Sequence, residues 1–125
     1  MAKKRTVLVV EDDAYLVSFY KRIESLLSGK VSIKIVDNAT DGIKELEKNT
    51  YDALILDLIM PEIDGYAVLE FLQKNNKSDA IHIAVLTNLD TEEDRAKTSK
   101  LGSNAYYVKS DLSNSLLQSI LLGKV

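Results

Sequence analysis

The chain has 125 residues, of which 46% are hydrophobic and 28% charged, a length and balance that fit one soluble globular domain with its own core. A net charge of −3 leaves no basic footprint for nucleic acid, and the lack of cysteine removes disulfides and thiolate metal sites. No apolar run approaches membrane-spanning length and the N-terminus has no apolar signal region, so a soluble, cytoplasmic protein is expected.

Lys3, Lys4 and Arg5 read as a solvated basic tail. Thr6 to Val10 is a continuous β-branched and apolar run, a buried strand that ends in Glu11-Asp12-Asp13. Leu16, Phe19, Tyr20, Ile23, Leu26 and Leu27 then fall at helical spacing, with Asp13 at the helix start and Gly29 as the stop. Val31 to Val36 is a second strand. Ala39, Ile43 and Leu46 mark the inner face of a second helix.

Tyr51 to Leu56 reads as the third strand, and it ends abruptly at Asp57. Pro61 fixes its own φ and biases Met60 away from helix, so the loop after Asp57 is stiff. Gly65 is expected to free the backbone to turn into a third helix, whose apolar residues are Val68, Leu69 and Leu72 and whose end lies near Asn75-Asn76.

Ala80 to Leu86 is the fourth strand, followed by Thr87-Asn88. Asp90 to Lys100 reads as a polar helix capped by Asp90, with Glu93 three residues on, and ended by Gly102. Only Ala96 and Leu101 look like core residues, so this helix should be docked less firmly than its neighbours. Ala105 to Val108 is the fifth strand, ending in Lys109. Ser113 caps a last helix with Leu116, Leu117, Ile120, Leu121 and Leu122. That wide arc fits a deeply packed terminal helix or one with part of its face left for a partner.

Strand and helix alternate five times, which predicts an α/β fold with a parallel sheet and helices on both faces. Sites in such sheets form beyond the carboxyl ends of the strands. Glu11, Asp12, Asp57, Thr87 and Lys109 all lie at those ends. Three carboxylates in one cleft need a counter-charge, and oxygen-only ligands favour Mg²⁺, or Mn²⁺, over zinc. Asp57 is then the candidate nucleophile for a phosphoryl group, Lys109 the cation that clamps its oxygens, and Thr87 a hydroxyl donor to them.

Val9-Val10-Glu11-Asp12, Asp57-x-x-Met60-Pro61-x-x-Asp64-Gly65, Thr87 and Tyr106-x-x-Lys109 resemble the CheY-like receiver domain of two-component response regulators, over essentially the whole chain. The resemblance implies a flavodoxin-like (βα)5 three-layer sandwich with strand order 2-1-3-4-5. It implies that Asp57 accepts a phosphoryl group from a sensor histidine kinase or a histidine phosphotransfer protein. It further implies Mg²⁺ held by Asp12, Asp57 and the Ile59 backbone carbonyl, with Glu11 acting through water. Thr87 and Tyr106 would be the switch pair and Lys109 the phosphate partner. Such a domain catalyses only its own phosphorylation and dephosphorylation. It signals to a downstream protein, as a monomer or a phosphorylation-dependent homodimer.

The expected organisation is a single receiver domain over residues 1–125 with no output domain. The alternatives are a receiver fragment of a longer regulator and a receiver-like binding module that signals without phosphorylation. Ser110 stands where the family pattern has proline, so a trans peptide is expected there, because non-proline cis bonds cost roughly 3 kcal/mol. Asn88 stands where Ala or Gly is usual. Ile59 disfavours a haloacid-dehalogenase-like phosphatase, which needs a second aspartate there. Glu11-Asp12-Asp13 disfavours a flavin phosphate loop. The only histidine, His82, begins an apolar strand, which argues against a histidine phosphotransfer protein.

Overall fold

The computed structural model describes residues 4–124, so Lys3 of the basic tail lies outside the described residues. The elements run β1 (Arg5–Val10), α1 (Ala14–Leu26), β2 (Val31–Val36), α2 (Ala39–Lys48), β3 (Ala53–Leu56), α3 (Tyr66–Lys74), β4 (His82–Thr87), α4 (Glu92–Lys100), β5 (Ala105–Val108) and α5 (Asn114–Leu122). Single 3-10 turns at Ser78–Ala80 and Lys109–Asp111 lead into β4 and out of β5. The five strands form one sheet in the order β2-β1-β3-β4-β5, all pairs parallel. This is the expected flavodoxin-like receiver arrangement.

The two faces of the sheet explain the continuous apolar runs, since a strand covered on both sides has no polar face to alternate with. Leu8, Val10, Leu54, Leu56, Ile83 and Val85 point to one side, packed with Leu46 of α2 and Val68, Leu69 and Leu72 of α3. Val7, Val9, Ala53, Ile55, Ala84 and Leu86 point to the other, against Tyr20 and Ile23 of α1 and Leu117, Ile120 and Leu121 of α5. Helix α5 is therefore deeply packed, with Leu116 and Leu122 half-buried at its margin.

Four element starts and two core assignments differ from the sequence reading. β1 begins at Arg5, which pairs with Val31 and whose Nε donates to the Leu121 carbonyl at 3.0 Å, so Arg5 is not part of a solvated tail. β3 begins at Ala53 and β4 at His82, because Tyr51 lies outside the ladder and the 3-10 turn takes Ala80. Helix α4 begins at Glu92 and is capped by Thr91 in place of Asp90; the Thr91 hydroxyl accepts the Asp94 N–H at 3.0 Å. Asp90 instead pairs with Arg95 at 3.0 Å. Ala96 is exposed, and the buried residue of α4 is Thr98, whose hydroxyl donates to the Asp94 and Arg95 carbonyls. Leu26 is 71% exposed at the end of α1.

Gly65 is also placed differently from expectation. Its φ is −65°, ordinary for any residue. What requires glycine is space: a Cβ here would lie 2.3 Å from the Asp57 carbonyl oxygen and 2.9 Å from Leu58 Cα. The first turn of α3 thus presses directly on the backbone that carries Asp57.

Candidate functional site

Each strand end delivers its residue to the same edge of the sheet. The Glu11 N–H continues the β1–β2 ladder to the Val36 carbonyl at 2.9 Å, and the Asp57 N–H donates to the Val10 carbonyl at 3.1 Å. Leu56 pairs with Val85 and Thr87 with Val108, so Asp57, Thr87 and Lys109 leave the sheet on one rim. The loop beyond Asp57 is held by Pro61, by Glu62 at φ +68°, and by the Gly65 N–H on the Leu58 carbonyl at 2.9 Å.

The carboxylates of Glu11, Asp12 and Asp57 converge, each offering one oxygen within 4.8 Å of the others. Glu11 and Asp57 are buried, at 2% and 4% exposure, while Asp12 is open to solvent. Lys109 supplies the counter-charge: its Nζ donates to Asp57 Oδ2 at 2.7 Å and to Glu11 Oε2 at 2.9 Å. The Ile59 N–H donates to the other Asp57 oxygen at 3.1 Å, and the Asp13 N–H to Glu11 Oε2 at 3.1 Å. Asp13 itself caps α1 through the Tyr15 and Leu16 N–H groups, as a helix-start residue should.

The electrostatics follow from burial and this single ammonium. Burial raises the Glu11 pKa, and the hydrogen bonds from Lys109 and the Asp13 N–H oppose that without cancelling it. For Lys109 burial works against the charge, but the Asp57 and Glu11 carboxylates outweigh it and the pKa is raised. The ammonium therefore stays charged at neutral pH. Tyr20, fully buried under the site, is pushed well above the usual phenol range by burial and then by Glu11 and Asp57; its hydroxyl has no hydrogen-bond partner among the described residues.

Thr87 is fully buried and its hydroxyl oxygen accepts the Leu89 N–H at 3.4 Å. Tyr106 is not brought to the carboxylates. It stands half-buried on the α3 side of the sheet, its hydroxyl donating to the Leu89 carbonyl at 2.7 Å and its ring 4.7 Å from the Arg95 guanidinium. Leu89 thus touches both residues read as the switch pair. The peptides around Ser110 are trans, as all described peptides are.

The sequence reading passed over Tyr66 and Asp94. The Tyr66 hydroxyl donates to the Asp94 carboxylate and the Lys97 ammonium lies 4.1 Å from its ring centroid. The spacing Thr91-x-x-Asp94 carried a capping signal, but nothing in the sequence pointed from Tyr66 to α4.

An oxygen-only set of two buried carboxylates and one exposed one fits a hard divalent cation, Mg²⁺ or Mn²⁺. Such a set at the switch point of a doubly wound sheet, joined to a lysine directly after β5, has a counterpart among known proteins. The response regulator receiver domain family matches residues 7–121. The chain belongs to that family. The receiver is 30% identical over 103 residues to the transcriptional regulatory protein CusR of Escherichia coli strain K12, a match covering 82% of the chain and 44% of CusR. The chain thus spans less than half the length of that relative. In structure it is similar to the receiver domain of the Francisella response regulator 1452, with a TM-score of 0.81, 26% identity, and 97% and 98% of the two chains covered. It also shares its fold with the receiver domain of the sensor histidine kinase PA1611 of Pseudomonas aeruginosa PAO1, at a TM-score of 0.79, 21% identity, and 96% and 98% coverage. That receiver has a magnesium ion coordinated in its active site cleft. No helix of the described residues is long and apolar enough to cross a membrane.

Proposed function

We propose that this receiver stores a phosphoryl group on Asp57, taken from a phosphohistidine of a sensor kinase or a histidine phosphotransfer protein, and signals by protein contact. An Asp57 carboxylate oxygen attacks phosphorus, the phosphorus–nitrogen bond breaks, and the leaving imidazole nitrogen keeps the electron pair and takes a proton. The observation that carries this reading is the state of the Asp57 carboxylate: buried, one oxygen on the Ile59 N–H, the other on the Lys109 ammonium. A carboxylate held this way is fixed in orientation before the donor arrives, and the cation beside it is placed to meet the incoming negative charge.

Asp12, Asp57 and the Ile59 carbonyl would hold Mg²⁺, with Glu11 acting through water; Mn²⁺ suits the same oxygens. The ion would supply neutralising charge to the phosphoryl oxygens. The magnesium ion in the cleft of the PA1611 receiver supports this choice. Lys109 can exchange its bond to Asp57 for one to a phosphoryl oxygen while keeping Glu11. Thr87 donates its hydroxyl to another. That draws on the Leu89 backbone, and through it on the Tyr106 hydroxyl, so charge at the rim is converted to movement at α4. We read the domain as having no enzymatic turnover beyond this chemistry and as acting in the cytoplasm.

The test is incubation with Mg²⁺ and acetyl phosphate, followed by intact mass, for the wild type and Asp57→Asn. The wild type should gain one phosphoryl group and the variant none. A wild type that stays unmodified with donor and metal both present would leave only a binding module that signals without phosphorylation.

A further inference from the structure

Helix α4 is held in an unusual way. Among the described residues it buries no apolar side chain between Glu92 and Lys100, only Thr98. Its apolar support lies outside those bounds, at Leu89 before it and Leu101 after it, so between them the position of the helix depends on its polar contacts. At its end the Lys100 carbonyl accepts a Gln73 side-chain N–H at 3.0 Å; the contacts at its start come from two tyrosines. Tyr106 of β5 binds the Leu89 carbonyl ahead of the helix and stacks under Arg95. Tyr66 of α3 binds Asp94 through its hydroxyl and carries Lys97 over its ring. Asp94 is also the third residue of the helix cap: its carboxylate accepts the Thr91 hydroxyl at 2.7 Å while its N–H donates to Thr91 Oγ1 at 3.0 Å.

The other end of this chain of contacts is the site itself. Tyr66 follows Gly65, whose backbone lies so close to Asp57 and Leu58 that no Cβ fits between them. The Tyr66 N–H is pinned by the Asp64 carboxylate at 3.0 Å, and the residue is 9% exposed. A shift of the Asp57 backbone is therefore passed to Tyr66 by direct contact, and from Tyr66 to the first turn of α4.

We propose that Tyr66 is a latch on α4, a route from the Asp57 loop to that helix separate from the one through Thr87 and Tyr106. The latch holds α4 in the position seen here, and the rearrangement that follows phosphorylation works against it. Its signalling role rests on the phosphorylation of Asp57 proposed above.

The test uses the whole chain with Tyr66→Phe, Asp94→Asn and the double variant. Amide hydrogen exchange is read in the free protein and after treatment with Mg²⁺ and acetyl phosphate. Tyr66→Phe keeps the buried ring and removes only the hydroxyl. It should speed exchange of the α4 amides about tenfold, with the sheet amides unchanged, since a charge-assisted bond is lost locally. The double variant should exchange no faster than the faster single one. Asp57 should gain its phosphoryl group at the wild-type rate, and the further change in α4 on phosphorylation should be smaller than in the wild type. Additive effects of the two substitutions, a uniform loss of protection over sheet and helix, or an undiminished α4 response to phosphorylation would each overturn the latch. A wild type that takes no phosphoryl group overturns the phosphorylation reading and the signalling role with it, whereas the α4 contact itself is decided by the free-protein exchange.

Discussion

The Lys109 ammonium is 2.7 Å from Asp57 Oδ2 and is shared with Glu11, so one cation serves two buried carboxylates with a third, Asp12, beside them. The pocket is under-neutralised, and charges of opposite sign at its rim should have opposite effects on stability. Lys109→Met leaves buried carboxylates unpaired and should cost about 3 kcal/mol at neutral pH without added metal. Asp12→Asn removes an exposed like charge and should stabilise by about 0.5 kcal/mol. Urea unfolding in the presence of a chelator measures both. A Lys109→Met protein as stable as the wild type would show that the carboxylates are neutralised in some other way.

Gly65 meets the Asp57 carbonyl closely enough that a methyl group there is 2.3 Å from backbone atoms which cannot rotate away. Gly65→Ala should therefore destabilise by about 3 kcal/mol, the cost of overpacking against main chain. The same displacement should slow phosphorylation by acetyl phosphate, because Asp57 moves with its carbonyl. Gly29 offers the contrast: its φ is +82° with open space around it, so Gly29→Ala should cost only the strain of the left-handed conformation, about 1 kcal/mol.

Much of this architecture was legible in the chain because the signals were redundant. Each of β1, β3 and β4 carries an apolar run, and each run ends in a polar residue at the rim. The α4 region was misread where two capping patterns overlap, Asp90 with Glu93 and Thr91 with Asp94. Local propensity does not choose between them; here Tyr66, 28 residues from Asp94, sits on the second pattern. Thr98 took the inward position over Ala96 because its hydroxyl satisfies itself on the preceding turn, so a polar residue can be buried there without an external partner. The role of Gly65 was hidden for a similar reason: close approach of two backbones is tertiary, and a glycine in sequence looks the same whether it supplies φ or space.

Thr87 contacts Leu89 N–H, and Leu89 in turn accepts from Tyr106. Thr87→Ala removes the hydroxyl at the head of this series without touching Asp57 or Lys109. Phosphorylation by acetyl phosphate should proceed at close to the wild-type rate, while the change in Tyr106 side-chain signals on phosphorylation, read by NMR, should be lost. A Thr87→Ala protein whose Tyr106 still responds in full would remove Thr87 from the relay.

The residues two beyond Asp57 and two beyond Thr87 are Ile59 and Leu89, and neither can orient an attacking water. The aspartyl phosphate should accordingly be long-lived. The two positions are not equivalent in structure: Ile59 is 52% exposed, whereas Leu89 packs against the core and holds Tyr106 by its carbonyl. Ile59→Asn alone should then speed phosphate loss by about three- to tenfold, with no cost in stability. Adding Leu89→Glu should speed it further while loosening the β4–α4 loop. Decay of the phosphorylated mass after donor removal gives the rate, and an unchanged decay in the double variant would exclude water positioning as the limit.

Asp94 gives the pH dependence of α4. The Tyr66 hydroxyl, and then that of Thr91, hold its carboxylate in the charged form, so its pKa lies below the ordinary 3.8 although burial pulls the other way. A depressed folded-state pKa means that the unfolded chain takes up the proton first. The contribution of Asp94 to stability is therefore complete above the unfolded pKa and is lost as pH falls through the folded one. Carboxyl chemical shifts followed from pH 6 to pH 2, about 2 units either side of the ordinary value, should place the Asp94 midpoint below that of an unstructured aspartate. In Tyr66→Phe the midpoint should rise, because the larger of the two hydroxyl donors is gone. If it does not move, the phenol is not bonded to the charged form in solution, and α4 is capped by Thr91 alone.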